Sequence, residues 1–274
     1  MDLWVLILLI AAAVAVSASA MLVARGLAPA GGFFVNPNRV GGVFSVLGSS
    51  FAVLLAFVIL SALTSYRDAK DKAGQEAIAV TQLYVTAGLF SPPTAGVLRG
   101  DLECYGRAVA DDEWRTMRRQ QTSPLVESWL TRMGSRLARL EPAGQREAVA
   151  YQQWFNQDAV RREGRRGRLA EAAPFVPTPL RLVLALGATL VIGFVLLLAD
   201  PAEPFVPQAI LIGAITVLMV SGLLIVQVLD RPYENASGSI RPVEMGRTLA
   251  LMDQARLVGR PPPLPCDAAG RPTT

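Results

Sequence analysis

The chain has 274 residues, of which 52% are hydrophobic and 18% are charged, and its formal net charge is +4. Soluble domains carry about 25% charged residues, so this composition is unusual for a soluble protein. The sequence contains no histidine, which excludes Ser-His-Asp hydrolysis, histidine zinc sites and histidine-ligated haem.

Four apolar stretches contain no Asp, Glu, Lys or Arg. Each is close to or above the roughly 20 residues that a helix needs to cross the hydrocarbon core. Their apolar residues are continuous rather than alternating, which predicts helices and not barrel strands. No basic segment precedes the first stretch, so we interpret it as a retained helix and not as a signal peptide. The predicted spans are Leu3–Ala24, Val40–Tyr66, Leu182–Ala199 and Phe205–Leu229.

Basic residues predict the orientation. Residues 67–178, between the second and third spans, carry 17 Lys and Arg against 14 Asp and Glu, and the loop between the third and fourth spans has acidic charges only. Cytoplasmic loops are enriched in Lys and Arg, so we expect this segment and both termini to be cytoplasmic. The predicted fold class is an all-α multi-pass membrane protein. Its predicted parts are a transmembrane hairpin (1–66), a helical cytoplasmic domain (67–178), a second hairpin (179–230) and a partly disordered cytoplasmic tail (231–274).

The second span is predicted to continue as one long helix to Phe90, because apolar residues keep helical spacing from Ala69 to Ala87. Ser123 before Pro124 is typical of a helix N-cap followed by proline at the first helical position. The proline-rich end, Pro261–Pro265, is predicted to be disordered. Three further cytoplasmic helices are expected at Thr94–Gln121, Pro124–Leu140 and Pro142–Ala172.

The second span also carries a narrow face of small, partly polar residues, here called the small face. Such a face allows close packing between helices in lipid, and it is equally suited to a pore wall for hydrated ions. The candidate pore-lining residues on it are Gly41, Ser45, Gly48, Ser49, Ala52 and Ala56.

No ionisable residue lies inside a span, which disfavours proton-coupled transporters and intramembrane proteases. A channel needs no buried charge, because an apolar constriction can gate it. No set of acid, base and nucleophile is apparent, so we expect no enzyme, no cofactor, no metal and no nucleic-acid partner.

Other motifs have structural explanations that compete with functional ones. The acidic run Asp111–Glu113 is typical of a solvated helix face, although calcium binding is an alternative. The arginines from Arg161 to Arg168 follow the positive-inside pattern, or bind anionic lipid, or attract anions. Cys104 and Cys266 are expected to be free thiols of a reducing compartment. Three tryptophans of the predicted cytoplasmic helices are expected to pack between those helices: Trp114, Trp129 and Trp154.

A membrane-exit motif, Asp230-Arg231-Pro232, follows the fourth span. Pro232 is expected to stop the helix. Asp230 is expected to anchor the exit, to pair with Arg231 of a neighbouring chain, or to cap a helix.

The sequence resembles bacterial bestrophin-like proteins, a four-helix membrane family, over roughly residues 1–257. The motifs that carry the resemblance are Gly42 and Phe44, then the run from Gly48 through Phe51 to Val58, then Glu76-Ala77 and Leu83-Tyr84. Leu229-Asp230-Arg231-Pro232-Tyr233, followed by Gly238 and Pro242, completes them.

This resemblance implies a relation to bestrophins, which are pentameric anion channels with a pore-lining second helix. Two departures are plain: no proline lies between Pro37 and Pro92, where bestrophins have a proline-containing neck, and Glu234 stands alone where eukaryotic bestrophins have an acidic calcium clasp. The sequence therefore predicts a homo-oligomeric channel, a pentamer by analogy, in contact with membrane lipid and conducting ions, with anions favoured. The alternative is a non-conducting oligomeric scaffold or sensor that binds a partner through its cytoplasmic helices.

Overall fold

The structure is a computed structural model that describes residues 3–29, 31–34, 37–234, 237–259 and 262–273. Within these residues the only extended pairing is an isolated bridge between Cys266 and Pro272. A π-helical turn, Val109–Glu113, separates α3 from α4. The helices are α1 (Leu3–Leu27), α2 (Pro37–Ala87), α3 (Pro92–Ala108), α4 (Trp114–Met117), α5 (Pro124–Ala138), α6 (Gly144–Ala170), α7 (Thr178–Leu197), α8 (Phe205–Leu229) and α9 (Val243–Gly259).

The chain divides into two compact units. Unit 1 comprises Met1–Ser65, Pro174–Arg231 and Asn235–Ser239, and unit 2 comprises Tyr66–Ala173, Pro232–Glu234 and Ile240–Thr274. Helix α2 contributes its first part to unit 1 and its remainder to unit 2.

Unit 1 contains the four predicted spans. Helices α1, α7 and α8, together with α2 from Val40 onward, are each long and apolar enough to cross a membrane, with mean hydropathies of 2.5 to 2.7. Helix α1 lies beside α7 and α8, where Met21 packs with Val195 and Ile212. The prediction of four apolar helices is confirmed.

Two glycines bring α2 close to α7 and α8 in unit 1. A Cβ added at Gly187 of α7 would lie 2.4 Å from the ring of Phe51, and one added at Gly222 of α8 would lie 2.8 Å from Leu55. Small residues permit this close approach between helices in an apolar environment. Phe51 and Leu55 are buried with Val58 in the same apolar cluster.

Unit 2 packs α3 to α6 and α9 around the end of α2. The predicted alanine-rich face is confirmed, since Ala69, Ala77, Val80 and Ala87 are buried. The prediction for the tryptophans is also confirmed, because all three lie in this core: Trp114, Trp129 and Trp154.

The helix boundaries of unit 2 agree closely with the sequence pattern. Helices α5 and α6 begin and end within two residues of the predicted limits. The helix predicted at Thr94–Gln121 is observed from Pro92 to Met117, and the π-helical turn interrupts it. Ser123 is the N-cap of α5, as expected, because its hydroxyl accepts a hydrogen bond from the backbone N–H of Val126 at 3.2 Å.

The tail was predicted to be partly disordered, at Pro261–Pro265, and no helix was predicted within it. Residues 243–259 form α9, where Met245 and Met252 are buried at helical spacing. Residues 262–273 pack on unit 2, and the indole N–H of Trp129 donates to the carbonyl of Gly270 at 2.7 Å. The proline-rich composition of 261–265 predicts disorder when it is considered alone. The contacts of the tail with unit 2 involve residues distant in sequence, so local composition does not reveal them.

The expectation of free thiols is also wrong, because Cys104 and Cys266 form a disulfide. The residues are 162 positions apart, yet their Cα atoms are 5.8 Å apart because the tail folds back onto α3. Gly270 makes this return possible. Its φ is +78°, and an added Cβ would lie 2.4 Å from the backbone nitrogen of Ala108.

Candidate functional site

The small face of α2 is not used for packing within the chain. Five of its six residues are exposed, and Gly48 is half-buried. No described atom lies within 4 Å of a Cβ added at Gly41 or Gly48. The close contacts of α2 in unit 1 are instead made by Phe51 and Leu55. The small face is therefore available to water or to another copy of the chain.

Beside the small face lies a flank of large apolar residues, here called the apolar flank. At 100° per residue, the helix presents the packed face, the small face and this flank in sequence around its circumference. The flank residues are 59–71% exposed in the single chain: Val43, Val46, Val53, Phe57 and Leu60. Helix α2 thus has one face covered by its own chain and two adjoining faces that are open.

The exit motif is held within its own chain. Asp230 is buried and accepts a hydrogen bond from the backbone N–H of Val176 at 2.6 Å. The same carboxylate pairs with Arg181 in the first turn of α7. Of the alternatives considered for Asp230, the structure therefore supports an anchor at the start of α7. Arg231 follows it directly, and helix α8 ends before Pro232 as predicted.

Three of the arginines between Arg161 and Arg168 are buried in unit 2, so they are not placed to bind lipid or to attract anions. Their side chains lie on one face of α6. Arg165 and Arg168 reach carboxylates on other elements, whereas Arg161 pairs with Asp158 of α6 itself and donates to the Tyr105 hydroxyl. Arg162 and Arg166 of the same segment are exposed. The buried arginines are Arg161, Arg165 and Arg168.

Two of these arginines belong to what we call the ion cluster: Glu76, Tyr105, Glu113, Arg165 and Arg168. Arg168 lies 2.6 Å from Glu76 and 2.6 Å from Glu113, and Arg165 lies 2.5 Å from Glu113. The Tyr105 hydroxyl donates to Glu76 at 2.6 Å. Buried charges are tolerated only when they are paired and hydrogen-bonded, and this cluster meets both conditions.

Electrostatics of the ion cluster favour the charged carboxylate at Glu113. Burial alone would raise the pKa of Glu113, but the hydrogen bond from Arg165 and the charges of Arg168 and Arg165 outweigh it and lower that pKa. Burial, with the charge of Glu76, raises the pKa of Tyr105, so this hydroxyl remains a donor. Glu113 is therefore ionised at neutral pH in its pairs with Arg165 and Arg168.

The acidic run on the π-helical turn divides between surface and core. Asp111 and Asp112 pair with Arg115, as expected of a solvated face, but Glu113 points into the ion cluster. Among the residues that the structure describes, no group of three or more His, Cys, Asp or Glu is placed to hold a metal.

One carboxyl outside the ion cluster titrates near neutral pH. Burial is the main cause that raises the pKa of Glu103 to about 7; Asp253 also raises this pKa, and the charges of Arg256 and Arg107 lower it. Arg107 lies on α3 and Arg256 on α9, so the charge of Glu103 responds to pH where these two helices of unit 2 meet.

Sequence reasoning missed the ion cluster, although a signal was present. Arg161, Arg165 and Arg168 have the spacing of one helix face, and Gly164 lies among them. A Cβ added at Gly164 would lie 2.7 Å from the backbone nitrogen of Glu76. A glycine within an arginine stripe therefore marks close approach to another helix.

The comparisons with known proteins agree with this architecture. Crystal structures of a bacterial bestrophin homolog from Klebsiella pneumoniae share the fold. One, with a single substitution, has 16% identity and a TM-score of 0.68, covering 89% of this chain and 98% of its own. Another, phased by Zn-SAD, has 16% identity and a TM-score of 0.66, covering 88% and 97%. No curated protein matches the chain.

The sequence profile of one protein family, described as the Bestrophin-like domain, matches residues 8–241 of this chain. The matched residues include α2 with its small face, the ion cluster and the exit motif. This chain therefore belongs to the bestrophin-like family.

Proposed function

We propose that the chain is a subunit of a homo-oligomeric ion channel in which α2 lines the pore. The observation that carries the proposal is the small face, which is exposed in the single chain except at the half-buried Gly48 and includes two exposed serines, Ser45 and Ser49. A pore wall for hydrated ions needs small side chains and hydroxyl groups, and it needs no buried charge.

The apolar flank supports assembly around that pore. If the small face borders the axis of a ring, the adjoining flank faces the next subunit and not lipid. Val53 and Phe57 are 71% and 68% exposed in the single chain, and a neighbouring subunit would cover them. Five subunits are expected from the relation to bestrophins.

Selectivity and orientation follow from charge. Residues 67–178 carry 17 basic and 14 acidic side chains, so this segment favours anions and a cytoplasmic location. Both termini would then be cytoplasmic in a bacterial inner membrane. The arginines buried in the ion cluster are paired and contribute no open anion site.

The second candidate function is a non-conducting oligomeric scaffold that binds a partner through unit 2. A groove of about 360 Å³ between α3 and α5 favours it. The groove is lined by Val97, Leu98 and Leu137, with Arg136 and Arg139 at its edge. Such a mixed surface suits a short peptide segment.

Cysteine accessibility tests the assignment of the pore face. Ser49→Cys is expected to react with a charged, water-soluble thiol reagent, because only a hydrated thiol ionises and attacks readily. Leu55→Cys, which is buried, is expected to remain unmodified. Val53→Cys is exposed in a single chain and is expected to be protected only in the oligomer. The native cysteines form a disulfide, so they need no replacement under non-reducing conditions.

Ion flux in liposomes separates the two candidate functions. Modification of Ser49→Cys should reduce chloride flux, because the added group narrows the path, and modification of Val53→Cys should leave it unchanged. Absence of flux above empty liposomes, with Ser49→Cys and Val53→Cys equally protected, would favour the scaffold. Flux carried by cations would retain the channel and remove the anion preference.

Assembly is tested at Gly48. Gly48→Leu is expected to reduce the oligomer fraction, because a large side chain prevents close approach of a neighbouring backbone. The matched control is Gly193→Leu on α7, since Gly193 is also half-buried with no described atom within 4 Å of an added Cβ. Native mass spectrometry measures the subunit number of both variants. An unchanged mass for Gly48→Leu would show that this part of α2 does not form the subunit contact.

A further inference from the structure

Helix α9 packs closely against α3 in unit 2, with one carboxyl group buried between them. A Cβ added at Gly106 of α3 would lie 3.0 Å from the side chain of Leu249 on α9. Glu103 lies on α3 less than one turn before Gly106, and its side chain is fully buried. A carboxylate is costly to remove from water, so the protonation state of Glu103 affects the contact between the two helices.

The carboxyl group of Glu103 lies beside that of Asp253 on α9. Nη2 of Arg107 donates to Oε1 of Glu103 at 2.8 Å and also to Oδ1 of Asp253 at 3.3 Å. The second oxygen of Glu103, Oε2, has no hydrogen-bond partner among the described residues. The guanidinium of Arg256 is 3.7 Å from it, which is too far for a hydrogen bond. A proton on Glu103 would supply the donor that a contact between two carboxyl groups requires.

The groups around Glu103 on α3 and α9 have opposing effects on its affinity for a proton. Burial has the largest effect and raises the pKa of Glu103, and the hydrogen bond with Asp253 and the negative charge of Asp253 also raise it. The charges of Arg256 and Arg107 lower this pKa, and the resulting value is about 7. The charge of this buried group therefore changes within the neutral range of pH.

The elements on the other sides of Glu103 also contribute polar groups. Tyr84 of α2 interacts electrostatically with Glu103, and Arg99 of α3 lies 4.9 Å from the centroid of the Tyr84 ring. The tail contributes Asp267, whose carboxylate accepts the backbone N–H groups of two tail residues and is therefore engaged within the tail itself. Asp253 is thus the carboxyl group that Arg107 joins to Glu103.

The two arginines beside Glu103 also hold the tail on unit 2. Arg107 donates to the backbone carbonyl of Asp267 at 3.4 Å, and Arg256 donates to that of Pro262 at 2.9 Å. The same two guanidinium groups therefore interact with Glu103 and with the tail. Because of these shared partners, a change of charge at Glu103 affects both α9 and the residues that follow it.

We propose that Glu103 forms a pH-sensitive contact between α3 and α9. In its neutral form, Glu103 donates its proton to the Asp253 carboxylate and joins the two helices. When the proton is lost, two negative charges lie side by side at the shared nitrogen of Arg107, and α9 and the tail are held less tightly. This contact does not depend on whether the oligomer conducts ions.

The dependence of thermal stability on pH tests the contact. The pKa of Glu103 is raised from 4.5 to about 7 in the folded protein, so the folded state binds this proton more tightly and stability is lost as the pH rises through that value. Glu103→Gln keeps a donor for Asp253 and an acceptor for Arg107 but carries no charge. Between pH 6 and pH 8, the melting temperature of the parent should therefore fall by about 4 °C more than that of the variant.

Two further variants distinguish this contact from a general effect of pH. Glu244→Gln is the matched control on α9, since Glu244 is a partly exposed carboxylate paired with Arg247, and it should keep the pH dependence of the parent. Asp253→Asn removes the charge beside Glu103 and should move the loss of stability to lower pH. The proposal is wrong if the parent and Glu103→Gln fall equally, or if Asp253→Asn loses stability over the same pH range as the parent.

Limited proteolysis with the disulfide intact locates the effect. At pH 8, α9 should be cut up to about tenfold faster in the parent than in Glu103→Gln, because release of one proton changes the opening equilibrium by up to tenfold per pH unit. At pH 6 the two rates should be equal. Digesting both proteins at each pH removes the pH dependence of the protease itself. Equal rates at pH 8 would show that α9 does not respond to Glu103 and would overturn the proposal.

Discussion

Replacing Arg168 with leucine is expected to destabilise unit 2 by about 3–5 kcal/mol, because it leaves buried carboxylates without their shared cation. Arg168 is fully buried and lies 2.6 Å from both Glu76 and Glu113. Glu113 would keep Arg165, but Glu76 would keep only the hydroxyl of Tyr105 among its cluster partners. For a chain of this size the loss corresponds to a fall in melting temperature on the order of 10 °C.

The matched control is Arg166→Leu, two residues away on the same helix. Arg166 is exposed, so the same change of side chain should alter the melting temperature little. Thermal unfolding of the two detergent-solubilised variants, followed by tryptophan fluorescence, measures the difference. Tryptophan is a suitable reporter because Arg168 lies 5.2 Å from the ring centroid of Trp114. Equal melting temperatures for the two variants would show that the ion cluster does not stabilise the fold.

Removing the disulfide is expected to have an effect of similar size. The bond closes a segment of 162 residues, and losing a native disulfide typically costs about 2–5 kcal/mol, although the measured effect depends weakly on loop length. Cys104→Ala/Cys266→Ala should therefore melt several degrees below the parent. This reverses the expectation that the cysteines are ordinary free thiols whose replacement costs little.

Reductant provides the control for the disulfide experiment. Dithiothreitol should lower the melting temperature of the parent protein and leave that of the double variant unchanged. Limited proteolysis should also cut residues 262–273 faster in the double variant, because the tail would be held only by contacts such as that between Trp129 and Gly270. A parent protein whose melting temperature ignores reductant, after confirmed cleavage of the bond, would contradict the prediction.

The same bond bears on orientation. Disulfides persist in oxidising compartments, whereas the basic residues of segment 67–178 predict that this segment lies in the cytoplasm, which is reducing. The two signals indicate opposite sides of the membrane. Trapping thiols in intact cells with an acid quench, followed by alkylation, distinguishes them. Alkylated Cys104 would support the cytoplasmic orientation that we propose, and a protected pair would argue for the opposite side.

Local sequence determined the helices of this protein. The spans follow from continuous apolar runs, because a backbone in lipid must satisfy its hydrogen bonds within the segment itself. The helical spacing from Ala69 to Ala87 predicted the buried face of α2, and Ser123 predicted the start of α5. Each of these features depends on residues within a few positions of one another. Local patterns were therefore sufficient for these elements, whereas α9 was not predicted.

The candidate pore face was identified from sequence only in part. The small residues were visible as a pattern on α2, but the pattern did not distinguish packing within the chain from an open surface. The structure separates these possibilities, because Gly187 and Gly222, and not Gly48, make the close approaches in unit 1. The partner of each helix face is a property of the packed bundle.

Long-range pairing was decided by tertiary structure alone. Glu76 and Arg168 are 92 residues apart, and Cys104 and Cys266 are 162 apart. The arginines of α6 fitted the positive-inside pattern or a cluster that binds lipid or attracts anions, and the proline-rich end was predicted to be disordered. Charge and composition alone do not identify the residues that lie beside them in the fold. In the fold, Gly164 lies against Glu76, and the arginines beside it are buried and paired. Gly270 lies against α3, and this contact holds the tail on unit 2.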